Sequence, residues 1–240
     1  MAKITNPRDI FPDIIESYKA IYGDDLISII LYGSAAGDDY RPGRSDLNFM
    51  IVLSEAVIDH LDRAIQTVSR WRNKNVAVPL FMTRSYITSS LDSYPLEFLN
   101  MRMRYILVYG EDVLKDISIE SDHVRLQCER EIKGKLLLLR AGFLQTEGKK
   151  RKIKELVSSS ITAFVSIFSG ILYVRSIGIP GTRREILSAV AKEIPVDIGI
   201  FTECMDVKED KRDFSSAEIN NLFKGYLCEI RRLWEFVDKM

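Results

Sequence analysis

The residues that could carry chemistry are concentrated between positions 31 and 53. Gly33 and Ser34 directly follow the β-branched run 26–32, which predicts a buried strand. Small residues come next, so the chain is expected to turn sharply and to expose backbone amides. Such amides, together with a serine hydroxyl, can hold phosphate oxygens. The sequence therefore predicts a phosphate-binding turn at the end of the first strand.

A carboxylate opens the next predicted strand. Eleven residues separate Ser34 from Asp46, and Asn48 follows two positions later, before the apolar run 49–53. Because side chains two apart on a strand point the same way, Asp46 and Asn48 should share one face. Mg²⁺ prefers oxygen ligands and bridges protein groups to nucleotide phosphates. The pattern predicts that Asp46 binds a metal and that Ser45, directly before it, contributes to nucleotide binding.

Each part of this stretch also has a purely structural interpretation. A glycine and a serine after a strand form a common turn in α/β proteins. Asp46 would then only cap a strand, and Asn48 would satisfy a local hydrogen bond. The combination of the turn, the Ser45–Asp46–Leu47–Asn48 segment and the following apolar strand is less expected by chance than either half.

The stretch resembles the polymerase-β-type nucleotidyltransferase superfamily. The pattern of that superfamily is an apolar residue, Gly-Ser, about ten further residues, and then Asp-x-Asp or Asp-x-Glu. The chain is more similar to the small bacterial branch that includes kanamycin nucleotidyltransferase, in which a short catalytic domain precedes a helical bundle. The resemblance implies that Gly33 and Ser34 contact nucleotide phosphates, that Asp46 is catalytic and binds Mg²⁺, and that a nucleoside triphosphate is the substrate or ligand.

Two departures from the family pattern weaken the expected metal site. The second carboxylate falls on Asn48, and the run 76–82, which should carry the third, contains no acidic residue. Active members use two metal ions to align the attacking hydroxyl and to neutralise the transferred phosphoryl group. Asparagine offers a neutral oxygen only. Asp38, Asp39 and Glu97 would replace the missing carboxylates only if the fold brought them close.

Three functional hypotheses follow. In the preferred one, the protein keeps nucleotide binding, binds Mg²⁺ weakly, and has weak or lost catalysis, as a pseudoenzyme. In the second, it is an active Mg²⁺-dependent transferase that moves a nucleoside monophosphate onto a hydroxyl of a small molecule or protein. In the third, it is a non-enzymatic interaction module. The resemblance also allows a homodimer, because in this branch a helical domain from the same subunit or from another one completes the cleft.

The pattern along the chain predicts a two-domain α+β fold. Residues 1–118 should form a nucleotidyltransferase-like mixed sheet, with strands near 26–32, 47–53, 76–82 and 105–109 and helices near 8–22 and 55–72. Residues 119–240 should form an all-α up-and-down bundle. Its helices are predicted near 121–147, 150–177, 182–194, 197–207 and 215–239.

Composition and charge favour a cytoplasmic protein that does not bind nucleic acid. The chain has 240 residues, and its 34 basic and 34 acidic side chains cancel, so no general attraction to nucleic acid follows. The basic run 149–154 is interpreted as a solvated surface. The three cysteines form no C-x-x-C pair, which is typical of a reduced compartment. His123 has no arginine in the preceding ten residues, which argues against an RNase site in the helical half.

One segment is long and apolar enough to require a membrane test. Residues 156–174 carry no charge over 19 positions, which is a spanning length. The segment is also rich in serine, and polar residues at that density lower the tendency to insert. A helix buried on all sides within a bundle gives the same pattern. We therefore expect a central bundle helix and no membrane association.

Overall fold

The computed structural model describes residues 4–240, which belong to two compact units, Met1–Ile119 and Glu120–Met240. The described part of the first unit combines a mixed sheet with short helices. Its strands are β1 (Leu26–Tyr32), β2 (Asn48–Leu53), β3 (Leu80–Met82) and β4 (Tyr105–Gly110). Its α-helices are α1 (Phe11–Tyr22), α2 (Ile65–Arg72), α3 (Arg84–Ser89) and α4 (Pro95–Met103).

The strands are hydrogen-bonded in the order β3-β2-β1-β4. β1 pairs antiparallel with both β2 and β4, so that Tyr32 lies opposite Asn48 on one side and opposite Tyr105 on the other. β2 pairs in parallel with β3, with Met50 opposite Leu80. The end of β1 is therefore flanked by the beginning of β2 and the beginning of β4.

Alternation along β2 separates the two faces of the sheet. Leu47, Phe49 and Ile51 are fully buried in a core that also contains Ile14 and Tyr18 of α1. The strand residues between them therefore point to the opposite face. This alternation directs Asn48 away from the α1 side of the sheet, and we expect Asp46, two residues earlier, to face the same way.

Two predicted elements are shorter than expected. The third strand was predicted over 76–82, but the structure restricts it to Leu80–Met82, and Val76 forms only an isolated bridge with Leu47. Pro79 explains the interruption, because proline has no N–H to donate to a ladder. The helix predicted over 55–72 begins only with the 3-10 turn Leu61–Ala64, and residues 55–59 form turns instead.

The turn after β2 has a local cause. The Ser54 hydroxyl donates to Asp25 Oδ1 at 2.5 Å, and the Ser54 backbone N–H donates to the Asp25 carbonyl at 3.0 Å. Both contacts hold the chain at the end of β2 against the segment that precedes β1. A serine tied in this way favours a turn over a continuing helix.

All residues of the second unit are described, and they form five α-helices. These are α5 (Ser121–Gln145), α6 (Lys150–Val174), α7 (Arg183–Val190), α8 (Ile198–Glu209) and α9 (Ser216–Val237). α6 contacts each of the other four. Its aromatic residues pack against rings of α8 and α9, and the Phe168 and Phe201 rings meet edge to face at 4.9 Å. The predicted two-domain α+β fold class is confirmed.

The serines of α6 are compatible with burial. The buried Ser169 hydroxyl donates to the Val165 carbonyl at 3.2 Å, and the Ser160 hydroxyl donates to the Val157 carbonyl at 3.1 Å. These bonds within the helix satisfy polar groups that would otherwise be costly to bury. Among residues 4–240, α6 is the one helix whose length and hydropathy would suit a membrane, and 56% of its most apolar window is buried inside the protein.

We predict that α6 acts as a core helix and does not span a membrane. The purified chain should remain in the supernatant after ultracentrifugation without detergent, because the apolar side chains of α6 already contact the other helices of the unit. Fractionation with membranes, or a requirement for detergent during purification, would contradict this assignment.

Candidate functional site

The glycine–serine turn has a backbone conformation that requires its glycine. Gly33–Ala36 forms a 3-10 turn directly after β1, and Gly33 has a φ of +77°. Other residues rarely adopt this left-handed conformation, because their Cβ approaches the carbonyl oxygen. A Cβ added at Gly33 would also lie 3.6 Å from Asn48 Nδ2. That distance is an ordinary van der Waals contact, so the left-handed φ is what requires glycine here, and the 3.6 Å distance shows that Asn48 lies beside the turn.

The structure brings Asn48 to this turn. Asn48 pairs with Tyr32, the residue directly before Gly33, so its half-buried side chain lies beside the first residue of the turn. Asp46 is exposed and lies two positions earlier. Leu47 between them is buried in the core on the other face, so strand alternation predicts that Asp46 faces the same side as Asn48.

Ser45 has a structural role in the loop before β2. Its hydroxyl accepts a hydrogen bond from the Arg41 backbone N–H at 3.1 Å, and its backbone N–H donates to the Arg41 carbonyl at 2.9 Å. The Asn75 side chain donates to the Ser45 carbonyl at 3.3 Å. These contacts close the loop and hold the chain at Asp46. A contact between Ser45 and a nucleotide remains a prediction.

The segment beside β2 supplies no third carboxylate. Leu47 is bridged to Val76, and Met50 pairs with Leu80, so the intervening residues 77–79 run alongside Asn48. These residues are alanine, valine and proline. Within residues 4–240 no group of three or more His, Cys, Asp or Glu side chains could hold a metal together. Asp46 and Asn48 offer one charged and one neutral ligand, which does not fit a site for two Mg²⁺ ions.

The other acidic residues considered for the site have different surroundings. Asp38 is exposed in the loop after the turn, whereas Asp39 accepts a hydrogen bond from Arg104. Glu97 of α4 lines a mainly apolar pocket of about 140 Å³ together with Tyr86, Tyr94 and residues of β3. The structure therefore does not gather these three carboxylates into one group.

Arg104 holds the turn from two sides, and the sequence motif did not reveal it. Its backbone carbonyl accepts the Gly33 N–H at 3.1 Å, and its Nη1 donates to Asp39 Oδ2 at 2.7 Å. A Cβ added at Gly37 would lie 3.3 Å from Arg104 Cδ. The Gly33 N–H thus already donates to Arg104. The contribution of Gly33 is therefore to let other groups come close to the backbone of the turn, more than to donate a hydrogen bond to them. The only signal for Arg104 in the sequence is its position directly before β4.

Two tyrosines flank the turn without adding charge. Burial raises the pKa of Tyr32. Burial, followed by the hydrogen bond that Tyr105 donates to Asp112, raises the pKa of Tyr105 to about 12. Both phenols therefore stay protonated at neutral pH. They place no negative charge beside a turn that would have to accept phosphate.

Known structures, but no family profile and no curated sequence, match this chain, so the comparison informs on its fold. No family profile matches the chain, and no curated protein matches it by sequence. Eight chains of known structure match it. One is spectinomycin adenyltransferase AAD(9) from Enterococcus, in a crystal structure with ATP and spectinomycin.

The likeness to this adenyltransferase includes residues of both units. It covers 92% of this chain and 98% of the other, with a TM-score of 0.55 and 14% sequence identity. At that identity the comparison shows a shared fold. The structural neighbour is an enzyme of the nucleotidyltransferase type, in agreement with the resemblance implied by the stretch 32–52.

Proposed function

We propose that this chain is a nucleotidyltransferase-family protein that binds a nucleoside triphosphate at the Gly33–Ser34 turn and has weak or lost nucleotidyl transfer. The observation that carries this proposal is the position of Asn48 beside the turn, where the family pattern has a carboxylate. The neighbouring segment 77–79 adds no replacement.

The negative charge available to hold metal ions limits catalysis in this proposal. Mg²⁺ is reluctant to lose water, and protein carboxylates must offset the cost of its dehydration. Here Asp46 alone supplies a full negative charge at the start of β2, and it is exposed to solvent, which screens its attraction for a cation. One metal ion held weakly, mainly by the nucleotide itself, is what this donor set supports. The alignment of an attacking hydroxyl by a second metal ion is then lost.

Nucleotide binding depends less on the carboxylates. The small residues and the positive φ of Gly33 allow a phosphate group to approach the backbone of the turn. We propose ATP as the ligand, because the structural neighbour was studied with ATP. Ser34, half-buried in the turn, would donate its hydroxyl to a phosphate oxygen.

A working transferase is the second candidate. The observation in its favour is the match to an adenyltransferase over nearly the whole of both chains. In that case Asp46 would be essential, and the acceptor would be a hydroxyl-bearing small molecule. ATP binding followed by nucleotidyl transfer would support the working transferase, whereas ATP binding without transfer would support the first candidate.

We predict ATP binding without appreciable transfer. Calorimetry should detect ATP binding to the wild type, while pyrophosphate release with a panel of hydroxyl-bearing acceptors, spectinomycin included, should stay at background. Asp46→Ala should change metal-free ATP affinity by less than about fivefold, since a loss of one exposed charge is worth under about 1 kcal/mol. Robust transfer that disappears in Asp46→Ala would establish the working transferase instead.

The missing carboxylate predicts a gain of metal affinity on Asn48→Asp. With ATP present, the variant should bind Mn²⁺ about tenfold more tightly than the wild type, a change of about 1.4 kcal/mol, because it restores an anionic pair with Asp46. Electron paramagnetic resonance titration of free Mn²⁺ measures this directly. Asn221→Asp, which adds the same charge to an exposed position of α9, is the matched control and should leave Mn²⁺ affinity unchanged. Equal affinity in Asn48→Asp and the wild type would refute the argument.

A further inference from the structure

Arg104 is the cation most closely connected with the phosphate turn. Its carbonyl fixes Gly33 at the start of the turn, and its side chain reaches past Gly37 to Asp39 at the other end. The side chains of Arg104 and Asp39 are only 17% and 19% exposed. The guanidinium is therefore held in place beside the loop, in contrast to the long, solvated side chains of most surface arginines.

We propose that Arg104 is a phosphate-binding residue of the nucleotide site and that Asp39 occupies its guanidinium until a triphosphate replaces it. This inference rests on the proposed function, since it names the residue that binds the phosphates of the same ligand. In the nucleotide-free protein, Asp39 acts as an internal anion that pairs with this guanidinium. No covalent step is involved, because one anionic partner of the guanidinium is exchanged for another.

The exchange is favoured by the chemistry of the partners. A guanidinium presents a planar fork of N–H donors that matches both carboxylate and phosphate oxygens. A triphosphate carries more negative charge than one carboxylate and can accept from the fork while the turn amides hold its other oxygens. Because the Asp39–Arg104 pair is still partly accessible to water, opening it does not leave a fully buried charge without a partner.

Because the proposed metal site has too few carboxylates, a cationic side chain that binds phosphate becomes more important. Asp46 alone cannot hold two metal ions against the triphosphate, so more of the phosphate charge must be balanced by side chains of the protein. Arg41 and Arg44 are exposed in the loop before β2, and Arg102 donates to the Ile117 carbonyl at 2.7 Å. The Arg104 side chain, in contrast, lies against Gly37, the residue that caps the turn.

Two substitutions with opposite expected effects test the proposal. Metal-free ATP affinity should fall at least about tenfold in Arg104→Gln, with partial recovery in Arg104→Lys, which keeps the charge but loses the fork. Asp39→Asn should raise the affinity about threefold to tenfold, because it removes the competing anion. The matched control is Arg102→Gln, which removes a half-buried arginine and one hydrogen bond from the same helix end and should leave ATP affinity within about twofold.

The signs of these changes separate ligand binding from a merely structural ion pair. If the pair only stabilised the loop, Arg104→Gln and Asp39→Asn would weaken ATP binding together, and the proposal would be wrong. Unchanged affinity in Arg104→Gln, with the wild type binding ATP, would overturn this inference and leave the proposed function intact. Absence of ATP binding to the wild type would overturn both. Circular dichroism and melting temperature show whether each variant is folded. If Arg104→Gln does not fold, the ATP affinity of Asp39→Asn tests the proposal by itself.

Discussion

The antiparallel pairing of Tyr32 with Asn48 is the interaction on which the candidate site depends. It joins the last residue of β1 to the first residue of β2, and so places the Gly33–Ser34 turn beside the residues that open the second strand. The pairing of Tyr32 with Tyr105 on the other side brings the beginning of β4, and with it Arg104, to the same turn. A shift of either register by one residue would place opposite Tyr32 a residue whose side chain points to the other face of the sheet.

In the function proposed here, this arrangement keeps one half of a nucleotide site and alters the other. The phosphate-binding half would consist of Gly33 at positive φ, its small neighbours, and Arg104, whose guanidinium is held by Asp39. The half that holds metal has one exposed aspartate and an asparagine. Phosphate recognition by backbone amides and a guanidinium does not require metal ions, whereas in-line transfer with two metal ions does. We therefore propose that nucleotide binding can be separated from nucleotidyl transfer in this chain.

Much of the fold could be predicted from the sequence, because its signals are local. The β-branched runs predicted β1 and β2, and the helical spacing after residue 119 predicted all five helices of the second unit to within a few residues. Capping boxes at Thr182 and Ser215 fix the starts of α7 and α9 through hydrogen bonds between near neighbours in sequence. The short β3 was harder, since Pro79 interrupts an otherwise apolar run.

The candidate site was only partly predictable, because part of it depends on contacts between distant segments. Gly33, Asp46 and Asn48 lie in one motif, and their spacing was sufficient to place them together. Arg104 is 71 residues from Gly33, and nothing in its local sequence indicates that β4 pairs with β1. The engagement of the Ser45 hydroxyl by the Arg41 amide likewise depends on a loop conformation that residue types alone do not specify.

The most direct test of the central claim is a crystal structure with Mn²⁺ and a non-hydrolysable ATP analogue, in which the anomalous signal of manganese locates each metal ion. We expect a triphosphate on the Gly33–Ser34 turn and no more than one manganese ion, coordinated by Asp46 and the phosphates. Two well-occupied manganese ions bridging Asp46 and the nucleotide would contradict it, and so would a triphosphate bound away from the turn.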